Sequence, residues 1–148
     1  MPSTYTSLYY HLVFSTKDGI PMLTKDWRSN MHSYLGGIIR NMNGKSLAIG
    51  GIEDHVHLLV GLKPTRCLSD VMREMKSSSS DWASLTAGKK KFYWQPGYFA
   101  ATVSPTQIKK VERYVLNQER HHKQQAFQAE YIELLELGGI EYDERYVW

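Results

Sequence analysis

This 148-residue chain predicts an α+β fold, and three observations carry that reading. Runs rich in aromatic and β-branched residues at 8–16, 46–52, 55–61 and 99–103 have the length and composition of strands. Two longer stretches, 24–42 and the segment after Lys63-Pro64-Thr65, repeat apolar residues every three or four positions, as helices with one buried face do. Their order, β-α-β-β-α-β, is the split, ferredoxin-like arrangement: an antiparallel sheet with helices on one face, here followed by two more helices. Such a fold hosts many functions and selects none.

The chain is long enough for one domain, 1–148, with a core at 5–103, a helix over 104–122 and a final helix and tail over 123–148. Hydrophobic residues make up 42% and charged residues 22%, an ordinary composition for a protein in water. No apolar run approaches the roughly 20 residues of a membrane span, and Met1-Pro2-Ser3-Thr4 does not read as a secretion signal. A cytoplasmic location is expected, with a single cysteine, Cys67, read as a small buried hydrophobe in a reducing compartment. Residues 1–111 carry 14 Lys/Arg against 7 Asp/Glu, and residues 112–148 carry 4 against 8. A basic body with an acidic tail suits an anionic partner, nucleic acid among them.

Leu8 to Thr16 forms the first strand, with His11 inside it as a wall or core residue. Thr24 caps a helix whose stripe is Trp27, Met31, Leu35, Ile38 and Met42, ended by Asn43-Gly44. Gly36-Gly37 weakens this helix by about 1 kcal/mol per glycine, a cost that close approach of a neighbour would explain. Residues 46–52 and 55–61 pair through a tight connection at Glu53-Asp54. Side chains alternate faces along a strand, so His55 and His57 point the same way, about 7 Å apart. Beside Glu53-Asp54 they have the chemistry to hold a divalent cation; equally, a His-x-His on a half-exposed strand is commonplace.

The second helix has Leu68, Val71, Met72, Met75, Trp82 and Leu85 on its apolar stripe, with Arg66, Arg73 and Lys76 opposite. Ser77-Ser78-Ser79-Ser80 is either a weak point or a set of hydrogen-bonding hydroxyls, phosphate oxygens being one possible partner. Lys89-Lys90-Lys91 is a basic loop running into Phe92-Tyr93-Trp94-Gln95-Pro96-Gly97-Tyr98. Cations beside rings suit single-stranded nucleic acid, while the same rings also suit a core or an interface.

Ser104-Pro105-Thr106-Gln107 starts the third helix with a cap, a first-turn proline and a capping-box glutamine. Ile108, Val111 and Val115 face inward, while Lys110, Tyr114, Gln118 and His122 recur at four-residue spacing on another face, bordered by Asn117 and His121. That row reads either as an interface around Tyr114 or as a functional face. A last helix, Gln125 to Leu137, packs Phe127, Tyr131, Leu134 and Leu135. The acidic, aromatic tail after Gly138-Gly139 folds back on the body or on a partner.

Asp54-His55-Val56-His57-Leu58-Leu59 resembles the HUH signature, two histidines around one bulky hydrophobic residue. Tyr114 with Gln118 four residues later resembles the helix that carries a single catalytic tyrosine, and Gly97-Tyr98-Phe99-Ala100 resembles the stretch before it. From the first strand through Asn117-Gln118-Glu119-Arg120-His121-His122, the chain is similar to single-tyrosine HUH transposases, which move insertion sequences through single-stranded DNA. That family includes domesticated relatives acting on repetitive extragenic palindromes.

The resemblance implies Tyr114 as nucleophile and His55, His57 and Gln118 as ligands of Mg²⁺ or Mn²⁺, with His122 near the metal but not bound to it. It implies cleavage and rejoining of hairpin-bearing single-stranded DNA through a 5′-phosphotyrosine, by a homodimer whose active sites combine residues of both copies. Arg66, Arg73, Lys76, Ser77, Ser78, Lys89, Lys90 and Lys91 are then the candidate DNA contacts. The alternative is an inactive or domesticated relative that holds hairpins without cutting them.

Overall fold

The computed structural model describes residues 3–148, so Met1-Pro2 of the N-terminal stretch lie outside the described residues. β1 (Tyr9–Ser15), β2 (Lys45–Ile52), β3 (His55–Gly61) and β4 (Phe99–Thr102) form one antiparallel sheet in the order β2-β3-β1-β4. With α1 (Lys25–Asn41) and α2 (Leu68–Leu85), this is the expected split arrangement. Alternation within β1 sends Leu12 and Phe14 to one face, where they join Met31, Leu35, Val56, Leu58 and Met72 in the main core beneath α1 and α2. It sends His11 and Val13 to the other, opposite Leu59 and His57 of β3.

That second face is covered as well. α3 (Ile108–Leu116), the single turn α4 (Gln118–His121) and α5 (Phe127–Leu137) lie over it. Val115 packs there with Ala48 and Leu59, while Phe127 and Leu135 pack with Val13 and Phe99. Every residue of β3 is therefore buried, and the histidine strand is not the half-exposed one its pattern suggested. The tail folds back on the body, with Tyr142 and Val147 against the cluster around Phe127.

Two glycines let helices approach the sheet. A Cβ on Gly36 would lie 3.2 Å from Ser46 Oγ and 3.3 Å from an Ile49 methyl, so α1 sits close against β2 there. A Cβ on Gly50 would lie 1.9 Å from the Val115 carbonyl oxygen. The α3 backbone thus rests directly on β2, and no larger residue fits between them.

The tyrosine-bearing segment is not one helix over 104–122. Ser104 Oγ accepts from the Thr106 amide, and Pro105–Gln107 is a 3₁₀ turn that leads into α3. Asn117, at φ −101° and ψ 23°, then breaks the path before α4. The last helix begins at Phe127 rather than Gln125.

Two packing expectations change. Cys67 is exposed at the start of α2 rather than buried. It lies ahead of the helix, where no layer covers it. Leu85 is exposed, because 3.6-residue spacing from Met75 and Ser79 leads to buried Ala83 instead. Ser79 is fully buried; its Oγ donates to the Met75 carbonyl (2.6 Å) and accepts from Trp94 Nε1 (2.8 Å).

Gly50→Ala forces α3 off β2 and is expected to cost about 1–3 kcal/mol, read as a lowered urea midpoint.

Candidate metal and nucleophile centre

Four elements converge on one buried carboxylate. β3 brings His55 and His57, α4 and the turn after it bring Gln118 and His122, α3 brings Tyr114, and α5 brings Glu130. Glu130 Oε1 lies 3.0 Å from His57 Nε2, 3.0 Å from His122 Nε2 and 3.3 Å from His55 Nε2. Gln118 Oε1 lies 3.1 Å from His55 Nε2 and 2.9 Å from His122 Nε2. The Tyr114 hydroxyl donates to Glu130 Oε2, and its ring centroid is 5.5 Å from that of His57. The row of Tyr114, Gln118 and His122 survives the break at Asn117 because Gln118 Nε2 donates to the Tyr114 carbonyl at 3.1 Å.

The outer nitrogens of the histidines are anchored too. His55 Nδ1 is bonded to Asp54 Oδ1 (2.8 Å), and the His55 ring stacks on Phe127 at 4.0 Å between centroids. His57 Nδ1 shares a hydrogen bond of 2.8 Å with His11 Nε2, so the first-strand histidine is a buried support for the second. Metal-binding histidines are typically held this way, the far nitrogen fixed so that the near one points at the ion. Donor atoms of His55, His57, His122 and Glu130 all lie within 4.8 Å of one another. With the Gln118 oxygen they form an acceptor-rich cluster suited to a divalent cation.

Charge follows burial. Burial, with the His57 charge, lowers His11 to about 3. Burial also lowers His57 to about 4 against the pull of Glu130. Burial pulls His55 down as well, but the Asp54 and Glu130 carboxylates outweigh it and hold His55 above its ordinary value. Burial would raise Glu130, yet the imidazoles around it keep it far below the carboxylate range. Burial and then Glu130 push the Tyr114 phenol well up.

Of the residues the sequence pointed to, Tyr114, His55, His57 and Gln118 are brought together. The candidate DNA contacts stand elsewhere, on the α2 layer across the sheet or in the loop after it. Arg66 and Arg73 are exposed, with Arg73 paired to Asp70 at 2.9 Å. Lys76 is half-buried and donates to the Gln95 and Gly97 carbonyls at 2.6 Å each, bracing the aromatic loop. Ser77 is exposed and Ser78 donates to Glu74. Lys89 lies over the Trp27 ring, 5.4 Å from its centroid, whereas Lys90 and Lys91 are exposed. Phe92 and Trp94 are core, and Tyr93 and Tyr98 remain on the surface.

Glu130 was not singled out by sequence, though a signal existed. It falls on the packed stripe of Phe127, Tyr131 and Leu134, where a carboxylate is costly unless partnered. A second omission is the groove of about 570 Å³ beside Gln118, lined by Lys25, Arg28, His32, Arg120 and Lys123.

A family model described as "Transposase IS200 like" matches residues 4–118. The chain belongs to this transposase family. Membership makes it an enzyme acting on DNA, consistent with the tyrosine and histidines just described. Two solved structures share the fold. One is a candidate transposase of Deinococcus radiodurans, 23% identical, covering 80% of this chain and 95% of that one, with a TM-score of 0.62. The other is a REP-associated tyrosine transposase bound to a REP hairpin, 14% identical, covering 78% of this chain and 68% of that one, with a TM-score of 0.58. No curated protein matches the transposase. Among its described residues, no helix is long and apolar enough to cross a membrane.

His11 and His57 titrate near 6.5 when unfolded but at about 3 and about 4 in the fold. Between about pH 6.5 and 4 the unfolded chain therefore takes up protons the folded one refuses, and stability falls with pH. Glu130 acts in the same direction at lower pH, whereas the stabilising contribution of His55 is present at low pH and fades as pH rises through its raised value. The urea midpoint of the metal-free protein should fall from pH 7 to 4.5, and His11→Gln should flatten that slope.

Proposed function

We propose that this transposase binds single-stranded DNA bearing a hairpin and cuts and rejoins it through a covalent bond between Tyr114 and a 5′-phosphate. The observation carrying the reading is that the Tyr114 hydroxyl lies against the buried His55–His57–Gln118 cluster within one chain. The REP hairpin on the structural relative supports a hairpin substrate.

In this reading the Tyr114 oxygen attacks the scissile phosphorus. The new O–P bond forms as the bond to the 3′-oxygen breaks, and that oxygen leaves as a 3′-hydroxyl. The phenolic hydroxyl is oriented by its hydrogen bond to Glu130 Oε2, and in the net exchange its proton ends on the departing 3′-oxygen. Docking of α3 on Gly50 fixes the nucleophile before substrate arrives, which lowers the entropic part of the barrier. His55, His57 and Gln118 would hold a divalent cation, Mg²⁺ or Mn²⁺, and such an ion offsets the charge that develops on the phosphoryl oxygens. Rejoining is the reverse attack by a 3′-hydroxyl. The phosphotyrosine conserves the energy of the bond, so no nucleotide cofactor is needed.

Lys25, Arg120 and Lys123 in the groove beside Gln118 are placed to meet the backbone of a strand entering the centre. Arg66, Arg73, Lys76, Ser77, Ser78 and Lys89–Lys91 would hold duplex backbone farther away, supplying affinity more than sequence choice. Excision requires two cuts and each chain has one such tyrosine, so a homodimer acting on DNA in the cytoplasm is the working unit we infer. The family resemblance implies composite sites; the docking of α3 favours sites complete within each copy.

With labelled hairpin-bearing single-stranded DNA and Mn²⁺, the wild-type chain should form a covalent adduct. Tyr114→Phe should abolish it while leaving hairpin binding nearly intact, and an undiminished adduct would remove Tyr114 as the nucleophile. Hairpin binding with no adduct in the wild type would favour an inactive hairpin-binding protein. Mixing Tyr114→Phe with His57→Ala should give no adduct if each site is complete in one chain; restored adduct would establish composite sites.

A further inference from the structure

His122 and Glu130 lie beyond residues 4–118, the stretch the family model matches, yet both face the centre of the His55–His57 cluster. Their distances to the cluster fit those of ligands. A dication with bonds of about 2.1 Å holds neighbouring donors about 3.0 Å apart in an octahedron and about 3.4 Å apart in a tetrahedron. Glu130 Oε1 lies 3.0, 3.0 and 3.3 Å from His57, His122 and His55 Nε2, so these separations match the edges of a coordination shell.

The hydrogen bonds of His122 carry the argument further. Its Nδ1 is 2.6 Å from the Gln125 carbonyl, and a carbonyl only accepts, so Nδ1 bears a hydrogen. In neutral His122 the Nε2 lone pair then faces both Glu130 Oε1 and Gln118 Oε1, at 3.0 and 2.9 Å. Gln118 turns its oxygen inward because its nitrogen donates to the Tyr114 carbonyl. Three acceptors facing one another are reconciled either by a proton on His122 Nε2 or by a cation among them, and a dication satisfies all three at once. Anchoring the outer nitrogen to a backbone carbonyl is also the usual support of a metal-binding histidine.

We propose that His122 and Glu130 join His55 and His57 in a three-imidazole, one-carboxylate centre that binds a transition-metal dication such as Mn²⁺ in preference to Mg²⁺. The inference rests on the reading of His55 and His57 as ligands. Imidazole-rich sets favour later divalent metals, whereas Mg²⁺ prefers oxygen ligands and keeps several waters. Glu130 thereby ties α5 to the centre, one oxygen toward the ion and the other toward Tyr114. Gln118 becomes a neighbouring oxygen able to complete the shell.

The test is metal binding by the DNA-free, full-length chain after chelator treatment, measured by calorimetry with MnCl₂ and with MgCl₂ and by the loss of the free Mn²⁺ resonance. One Mn²⁺ should bind per chain, about tenfold or more tighter than Mg²⁺. Glu130→Gln and His122→Gln should each weaken Mn²⁺ binding by about tenfold or more and shrink the Mn²⁺-induced rise in Tm. Circular dichroism checks that each variant folds, and Glu130→Asp, which keeps the carboxylate, should recover part of the affinity. Unchanged Mn²⁺ affinity in both glutamine variants, with binding lost in His57→Ala, would overturn the added ligands and leave the histidine pair standing. Glu130→Gln that keeps Mn²⁺ and forms adduct faster would make Glu130 a plug rather than a ligand. Mg²⁺ bound as tightly as Mn²⁺ would overturn the selectivity. Adduct formation is scored separately, so failure of the transposase chemistry leaves this binding result readable.

Discussion

Burying an imidazole is costly unless its nitrogens find partners, and meeting that need for His55, His57 and His122 links most of this structure. The register of β1 against β3 sets Val13 opposite His57 and leaves His11 within 2.8 Å of its outer nitrogen. Asp54, in the tight connection before β3, does the same for His55, and the Gln125 carbonyl does it for His122. The inner nitrogens then have one place to point. A carboxylate from α5 meets them there, and the two C-terminal helices are held over a sheet face that would otherwise be wet.

Tyr114 is positioned by contact of a different kind. Gly50 removes the side chain that would hold α3 away from β2, so the backbone around Val115 rests on the sheet. Tyr114, one residue earlier, is thereby carried to the edge of the histidine cluster. The break at Asn117 turns the chain enough for Gln118 and His122 to reach the same point. Rigid packing and a local break together do what a single straight helix would not.

Charge is partitioned accordingly. The C-terminal segment is acidic overall, yet its most consequential carboxylate, Glu130, is buried among imidazoles rather than presented to solvent. The cations of α2 and of the loop after it lie across the sheet from the centre, while Lys25, Arg120 and Lys123 gather beside it. A nucleic acid held by both groups would contact two sides of the molecule, with the α2 cations at a distance from the histidine cluster.

Much of this was legible in the amino-acid order. Alternation and three-to-four-residue spacing determined the strands, the helices and their ferredoxin-like sequence, because those periods report which face of an element is buried. Period two placed His55 and His57 on one side, and four-residue spacing aligned Tyr114, Gln118 and His122. Tertiary structure decided what those faces meet. Nothing local tells that α3 to α5 bury the histidine strand, that His11 supports His57, or that Glu130 reaches across 73 residues to the same oxygen-centred cluster. Such pairings depend on sheet register and helix docking, which are settled by the packing of the whole chain and leave only faint marks, such as an acidic residue on an apolar stripe, in the sequence itself.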